Sequence, residues 1–221
     1  MHLTSLHIVS LLAAPSEQTR SCERKLQELF QMFTVSSDFI SNFKAGDNIN
    51  YNLAILRVLY KIHEEESVEN QRYLRKPITI TLVSIAEAML RDFIERIQSG
   101  RRENIDDLPQ AVLADIRIKK LDKLDHYIAC AKKHGLFGGD ITFYDQLDEL
   151  RKLRNKVHIQ GRGGHLEADE RKAFSLARMR SAERALEYIS KYLAVNYPRP
   201  APTRGYVNAL SYPWDSHYKP V

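Results

Sequence analysis

The sequence predicts an all-α protein, an antiparallel bundle of about five to six helices with an irregular C-terminal tail. Apolar residues recur at helical spacing along most of the chain and rarely alternate as they do in strands. Only nine of the 221 residues are glycine, and residues 110–197 contain no proline. A β-rich fold needs frequent turns, so this scarcity of turn residues also favours helices.

Two helices are predicted near the N-terminus. The first runs from about Thr19 into the forties. Its apolar stripe contains Leu26, Phe30, Phe33, Ile40 and Phe43. A turn is expected at Gly46-Asp47-Asn48, and the second helix begins at about Asn50 and ends within the charged stretch at residues 63–71. His63, at the end of an apolar stripe, is expected to be a packed or helix-end histidine rather than a ligand.

The third predicted helix begins at Pro77, a residue suited to the first helical position, and ends before Gly100. Two apolar stripes run along it. They consist of Ile78, Leu82, Ile85, Met89, Phe93 and Ile97, and of Ile80, Val83, Leu90 and Ile94. A helix that is apolar on most of its circumference lies between neighbours, so this is the predicted central helix. Glu87 interrupts the second stripe, and a carboxylate there needs a cationic partner.

Three more helices complete the predicted bundle. They run from about Ala111 to Lys133, over about 141–160, and from about Glu167 to Asn196. Gly135 is expected to end the fourth helix, and Asp140 or Thr142 is expected to cap the fifth.

The chain is predicted to form one helical domain. Residues 1–18 are a short N-terminal segment, residues 19–197 form the domain, and residues 198–221 form a tail rich in proline and aromatic residues. The aromatic residues favour a strap laid over the bundle or over a partner subunit, and a disordered tail is the alternative.

Positive charge is concentrated in one part of the chain. Between Arg151 and Arg180 there are nine lysines and arginines against three acidic residues, although the whole chain has a formal charge of only +5. Clustered positive charge suits a polyphosphate partner, because phosphate contacts release condensed counterions. A solvated basic helix face is the equally weighted alternative.

The fifth predicted helix contains the side chains that are best suited to binding or catalysis. On a helical wheel at about 100° per residue, Phe143, Leu147, Leu150 and Val157 form the buried stripe. Arg154 falls on that stripe, where packing favours leucine. Arg151, Asn155 and His158 lie beside it, so that two guanidiniums, an amide and an imidazole share one face.

Two interpretations of this cluster remain open from the residues alone. In the structural one, Arg154 pairs with a buried acid such as Glu87, and His158 caps the helix end. In the functional one, the cluster binds phosphate. His158 then acts as acid or base near neutral pH, and an arginine stabilises a dianionic transition state.

The segment LDELRKLRNKVH, with the preceding central helix ITLVSIAEAMLRDFI, resembles the HEPN domain family. The family motif is an arginine followed by four to six residues and a histidine, often with asparagine directly after the arginine. Arg154-Asn155 matches the Arg-Asn part, but only three residues separate Arg154 from His158. Arg151 has the family spacing to His158, but Lys152 follows it. Both arginines therefore stay candidates.

The resemblance implies a helical bundle that homodimerises so that two motifs line one cleft. It implies a metal-independent endoribonuclease, with RNA as substrate, that acts as a toxin or as an antiviral defence effector. An antitoxin or regulator protein is then a further partner. Arg154, His158, Arg151 and Asn155 are the implied catalytic residues. Other family members have lost catalysis and bind RNA, nucleotides or proteins, and an unrelated helical protein is the third alternative.

No cofactor or metal site is expected from the sequence motifs. Cys22 and Cys130 have no metal-ligand spacing, and there is no Walker loop, zincin motif or dinucleotide-binding glycine pattern. Two cysteines cannot build a disulfide framework, so a reducing cytoplasm is the expected compartment. The first fourteen residues lack the charged start of a signal peptide, and no apolar stretch is long enough for a membrane helix.

Overall fold

The computed structural model describes residues 33–99, 105, 108–157 and 169–218, and these residues form a helical bundle. Its helices are α1 (Phe43–Glu65), α2 (Val68–Gln98), α3 (Gln110–Arg117), α4 (Leu124–His134), α5 (Ile141–Arg154), α6 (Glu170–Ala173) and α7 (Leu176–Asn196). Two short strands, β1 (Phe33–Val35) and β2 (Leu210–Tyr212), pair antiparallel, and 3₁₀ turns occur at Asn155–Val157 and Ala201–Thr203. The predicted all-α class is confirmed.

Helix α2 is the central element, as its two apolar stripes predicted. It packs against α1, α7, α5, α4 and α3, and most of its apolar side chains are buried. The predicted start at Pro77 is wrong, because the helix begins at Val68 after the cap Ser67. Pro77 lies inside the helix at an exposed position, where water can reach the carbonyl group that loses its amide partner.

The predicted first helix is wrong within the described residues, and the part before Phe33 lies outside them. Residues 33–35 pair as a strand with the C-terminal segment, with Phe33 opposite Tyr212. Helix α1 then begins at Phe43, and the side-chain oxygen of Asn42 accepts hydrogen bonds from the backbone amides of Lys44 and Ala45. Gly46, predicted in a turn, lies inside this helix. A distant strand partner has overridden the local helical period.

The fourth and sixth predicted helices are each divided. The break between α3 and α4 spans residues 118–123. The side-chain amide of Gln98 donates to the carbonyl group of Ile116, in the last turn of α3, and to that of Lys119, in the break. Gly135 ends α4 with a φ of 59°, as predicted, because glycine accepts the left-handed conformation. The single turn α6 precedes α7, which begins at Leu176 rather than near Glu167.

The C-terminal tail is a strap on the bundle through residue 218. Tyr212 and Trp214 are buried, and the Phe33 and Tyr212 rings stack with centroids 4.8 Å apart. The carboxylate of Glu187 on α7 accepts hydrogen bonds from the Ser216 hydroxyl and from the backbone amide of His217. The interpretation of the tail as a strap over the bundle is therefore confirmed for these residues.

Within the described ranges, no helix combines the length and the apolar character that crossing a membrane requires.

Candidate functional site

The end of helix α5 holds three of the four predicted site residues. Arg151 and Arg154 lie in its last turn, and Asn155 begins the 3₁₀ turn that follows. The predicted helix end near residue 160 is wrong, because regular α-helix stops at Arg154. His158 lies outside the described residues, so its position relative to the arginines stays a prediction.

The buried face of α5 differs partly from the predicted stripe. Leu147 and Leu150 are buried as expected, whereas Phe143 is only partly buried and the side chain of Val157 is outside the described part. Tyr144 and Leu153 complete the buried face. Near the C-terminal end of α5, Leu153 packs in a small apolar cluster with Ala173 and Phe174. Arg154 therefore lies at the edge of this face rather than at its centre.

Arg154 forms the ion pair with Glu87 that the structural interpretation predicted. The distance from Nη2 of Arg154 to Oε2 of Glu87 is 2.7 Å. The side chains are 34% and 23% exposed, so solvent still reaches the guanidinium. Its Nη1 atom makes a long contact of 3.5 Å with Oδ1 of Asn155. The ion pair orients the guanidinium of Arg154 and leaves part of its surface accessible to solvent.

Arg151 is held by an acid of its own helix. Its Nε atom donates to Asp148 at 2.7 Å, and Lys152 contacts the same carboxylate at 2.9 Å. Partial burial acts to raise the pKa of Asp148, but hydrogen bonds from Lys152 and Arg151 outweigh it and hold the pKa below its usual value. Asp148 therefore stays ionised and offsets part of the positive charge at this helix end.

A groove of about 600 Å³ runs between α5 and α7 beside the motif. Three acidic residues and three basic ones line it, namely Asp145, Asp148, Glu149, Lys152, Lys156 and Arg178. Arg178 donates to the carbonyl oxygen of Ala173 at 2.9 Å, which fixes the turn before α7. Arg151 and Arg154 do not line this groove. The groove is therefore a neighbour of the motif, with mixed charge.

A second polar cluster, which was not predicted from the sequence, joins α1, α7 and the strap. Glu183 on α7 has no exposed surface, and its carboxylate contacts Tyr60, Arg180 and His217. Burial and the nearby Glu183 carboxylate raise the pKa of Tyr60. The sequence signal was an acidic residue among the apolar positions of α7. Every polar contact here satisfies a buried group, so the cluster has a structural role.

His63 and Cys130 are both packed inside the bundle. His63 is buried in the last turn of α1, in agreement with its interpretation as a helix-end histidine. Cys130 is a buried free thiol, and burial raises its pKa, which makes the reactive thiolate less accessible. Among the described residues, no group of three or more histidine, cysteine or acidic side chains is arranged to hold a metal ion.

The chain matches no protein-family model, no curated protein and no solved structure. The interpretation of its site therefore depends on the residues and on their geometry.

Proposed function

We propose that this protein is a metal-independent endoribonuclease of the HEPN type. The observation that carries the proposal is the end of α5, where Arg151, Arg154 and Asn155 share about one helical turn, and His158 follows three residues later in the sequence. Arg154 is oriented by Glu87 yet partly exposed, which suits a cation that must meet a phosphate. The basic stretch from Arg151 to Arg180 adds attraction for a polyanionic strand.

In the proposed reaction, the 2′-hydroxyl of a ribose attacks the adjacent phosphorus. The bond from phosphorus to the 5′-oxygen breaks, and the products are a 2′,3′-cyclic phosphate and a 5′-hydroxyl. His158 moves the proton, since an imidazole titrates near neutral pH. Arg154 or Arg151 stabilises the charge that develops on the phosphoryl oxygens, and Asn155 orients the arginine.

The reaction needs one group to accept a proton and another to donate one. The motif of one chain has a single histidine, so a second copy would supply the other group. We therefore place the motif helices of a homodimer near a two-fold axis, which makes the interface isologous. An antitoxin or regulator protein would then control the nuclease in the cytoplasm.

A catalytically silent HEPN-like module that binds RNA, nucleotides or proteins is the second candidate. The specific observation in its favour is that both arginines are already paired with carboxylates, Arg154 with Glu87 and Arg151 with Asp148. A phosphate must share or displace these partners before it reaches either guanidinium. Such competition reduces the transition-state stabilisation that each arginine can supply.

The test is incubation of mixed single-stranded RNA with the purified full chain in excess EDTA. The nuclease predicts cleavage to cyclic-phosphate ends, with loss of at least about a hundredfold in rate in His158→Ala. Arg91→Ala is the matched control, because Arg91 is an exposed arginine paired with Glu95 on α2. Intact RNA with retained binding would select the silent module. Equal cleavage in wild type and His158→Ala would reject the proposed site.

A further inference from the structure

Helix α1 exposes a continuous apolar stripe on the face that points away from the bundle. Its members are Tyr51, Ile55, Val58 and Ile62, with 69%, 37%, 59% and 39% of their surface exposed. The opposite face of the same helix is buried through Ile49, Leu53, Leu56 and Tyr60. A surface helix normally carries polar residues on its outer face, so the exposed stripe needs a partner.

The spacing of the stripe matches the seam of a two-stranded coiled coil. Successive members are four, three and four residues apart, which is the alternation of a and d positions in a heptad. The side chains of Ala54 and Leu59 flank the seam and are partly exposed. We propose that this face binds a second copy of the chain, with the two α1 helices packed antiparallel.

Charge at the ends of the seam selects the antiparallel orientation. Continuing the same heptad places Lys44 and Glu65 at d positions beyond the apolar stripe. In a parallel pair, Lys44 would face the partner's Lys44 and Glu65 would face the partner's Glu65, which places like charges together. In the antiparallel pair, Ile55 meets the partner's Val58 and Tyr51 meets the partner's Ile62, so apolar residues meet at every central layer.

The two ends of the seam have complementary charge in the antiparallel pair. The end of α1 that carries Lys44 in one chain lies beside the end that carries Glu65 in its partner. The two-fold axis produces this arrangement at both ends of the seam. Ala54 lies near the axis, where a small side chain permits close approach.

This inference does not depend on the proposed ribonuclease. The seam contains no motif residue, and α1 packs on α2 and β2 while α5 packs on α2, α4 and α7. A seam dimer and a motif dimer would therefore use different surfaces. Substitutions in the seam test the first without altering the second.

The first test is the mass of the full chain in solution, measured by light scattering at high micromolar concentration. Wild type is expected at about 51 kDa or a multiple, twice the 25.6 kDa of one chain, and Val58→Glu at half the wild-type mass. Val195→Glu is the matched control, because Val195 on α7 is also exposed, at 76%. Circular dichroism melts of both variants check that each of them folds.

Two results would overturn the inference. A monomeric wild type would mean that another occupant, such as a segment of the same chain, covers the stripe. A Val58→Glu protein that keeps the wild-type mass would mean that any dimer uses another surface, such as the motif helix.

Disulfide trapping tests the orientation separately. The chain used carries Cys22→Ser, and Cys130 can stay because it is buried. The Tyr51→Cys and Ile62→Cys proteins should cross-link when mixed, because these positions face each other in the antiparallel pair. Neither should cross-link alone, since two copies of position 51 lie about 16 Å apart along the seam. Cross-linking of Tyr51→Cys with itself would contradict the antiparallel arrangement.

Discussion

The guanidinium of Arg154 on α5 and the carboxylate of Glu87 on α2 form an ion pair, with 2.7 Å between Nη2 and Oε2. The pair ties the motif helix to the central helix at the point where α5 ends. Because both side chains keep part of their surface in water, its energy lies between that of an exposed pair and that of a fully buried one.

Arg154→Ala should therefore lower both stability and any activity on RNA. We expect a loss of about 1 to 2 kcal/mol, or about 2 to 8 °C in melting temperature for a chain of this size. Glu87→Gln should cost a similar amount, since it leaves Arg154 without its anion. Thermal melts of the two single variants and the double variant measure the coupling. An Arg154→Ala protein as stable as wild type would contradict a contribution of this pair to folding.

Arg151→Ala should separate stability from function. Arg151 pairs with Asp148 three residues earlier on the same helix, a contact worth about 0.2 to 0.5 kcal/mol. The melting temperature should stay within about 2 °C of wild type, while RNA binding or cleavage falls because a phosphate contact is lost. Melts combined with an RNA assay at fixed salt check this. Full RNA activity in both Arg151→Ala and Arg154→Ala would remove the proposed function.

Glu187→Gln should weaken the attachment of the C-terminal strap. It should also make the free energy of unfolding less dependent on pH in the acidic range. Burial acts to raise the pKa of Glu187, but hydrogen bonds from Lys191, Ser216 and the His217 amide outweigh it and lower the pKa. A lowered pKa means that Glu187 stabilises the fold above the unfolded value of about 4.3, and that this contribution is lost as the pH falls through the folded pKa.

Glu187→Gln should therefore cost about 2 to 3 kcal/mol at pH 7, and the difference from wild type should shrink below about pH 4. Denaturant unfolding at several pH values measures it. Glu95→Gln is the control, because Glu95 is an exposed acid paired with Arg91. A difference between wild type and Glu187→Gln that is constant down to pH 3 would contradict the role of the ionised carboxylate.

Gly46→Ala should destabilise the protein, although alanine normally favours a helix by about 0.5 to 1 kcal/mol. A Cβ atom at this position would lie 2.5 Å from Cγ2 of Val207, so the side chain of Val207 or the segment that carries it would have to shift. We expect a net loss of about 1 kcal/mol. The double variant Gly46→Ala/Val207→Ala should recover most of it relative to Val207→Ala alone. Additive losses in the double variant would show that the contact is not the cause.

Local information in the sequence accounts for much of the bundle and of the site. The two stripes of α2 identified the central helix, because apolar residues on several sides of a helix require neighbours on several sides. Gly135 and Asp140 marked a helix end and a helix start through their own backbone and capping preferences. The unusual places of Glu87 and Arg154 among apolar residues also predicted their ion pair.

The tertiary structure decided what depended on distant parts of the chain. Residues 33–35 became a strand because residues 210–212 supply the hydrogen-bonding partner, and no helical period within residues 19–45 could reveal it. Gly46 could stay inside α1 because its missing side chain makes room for Val207.

The sequence by itself determined the helical class, the central helix and the residues of the motif, since periodicity and composition are local properties. Tertiary packing alone decided how exposed those residues are and which partners they contact. It placed Arg154 at a half-exposed edge beside Glu87, bound the strap to Glu183 and Glu187, and left one apolar face of α1 open. These features depend on which surfaces meet, and contacts between residues far apart in the chain leave little trace in the local pattern.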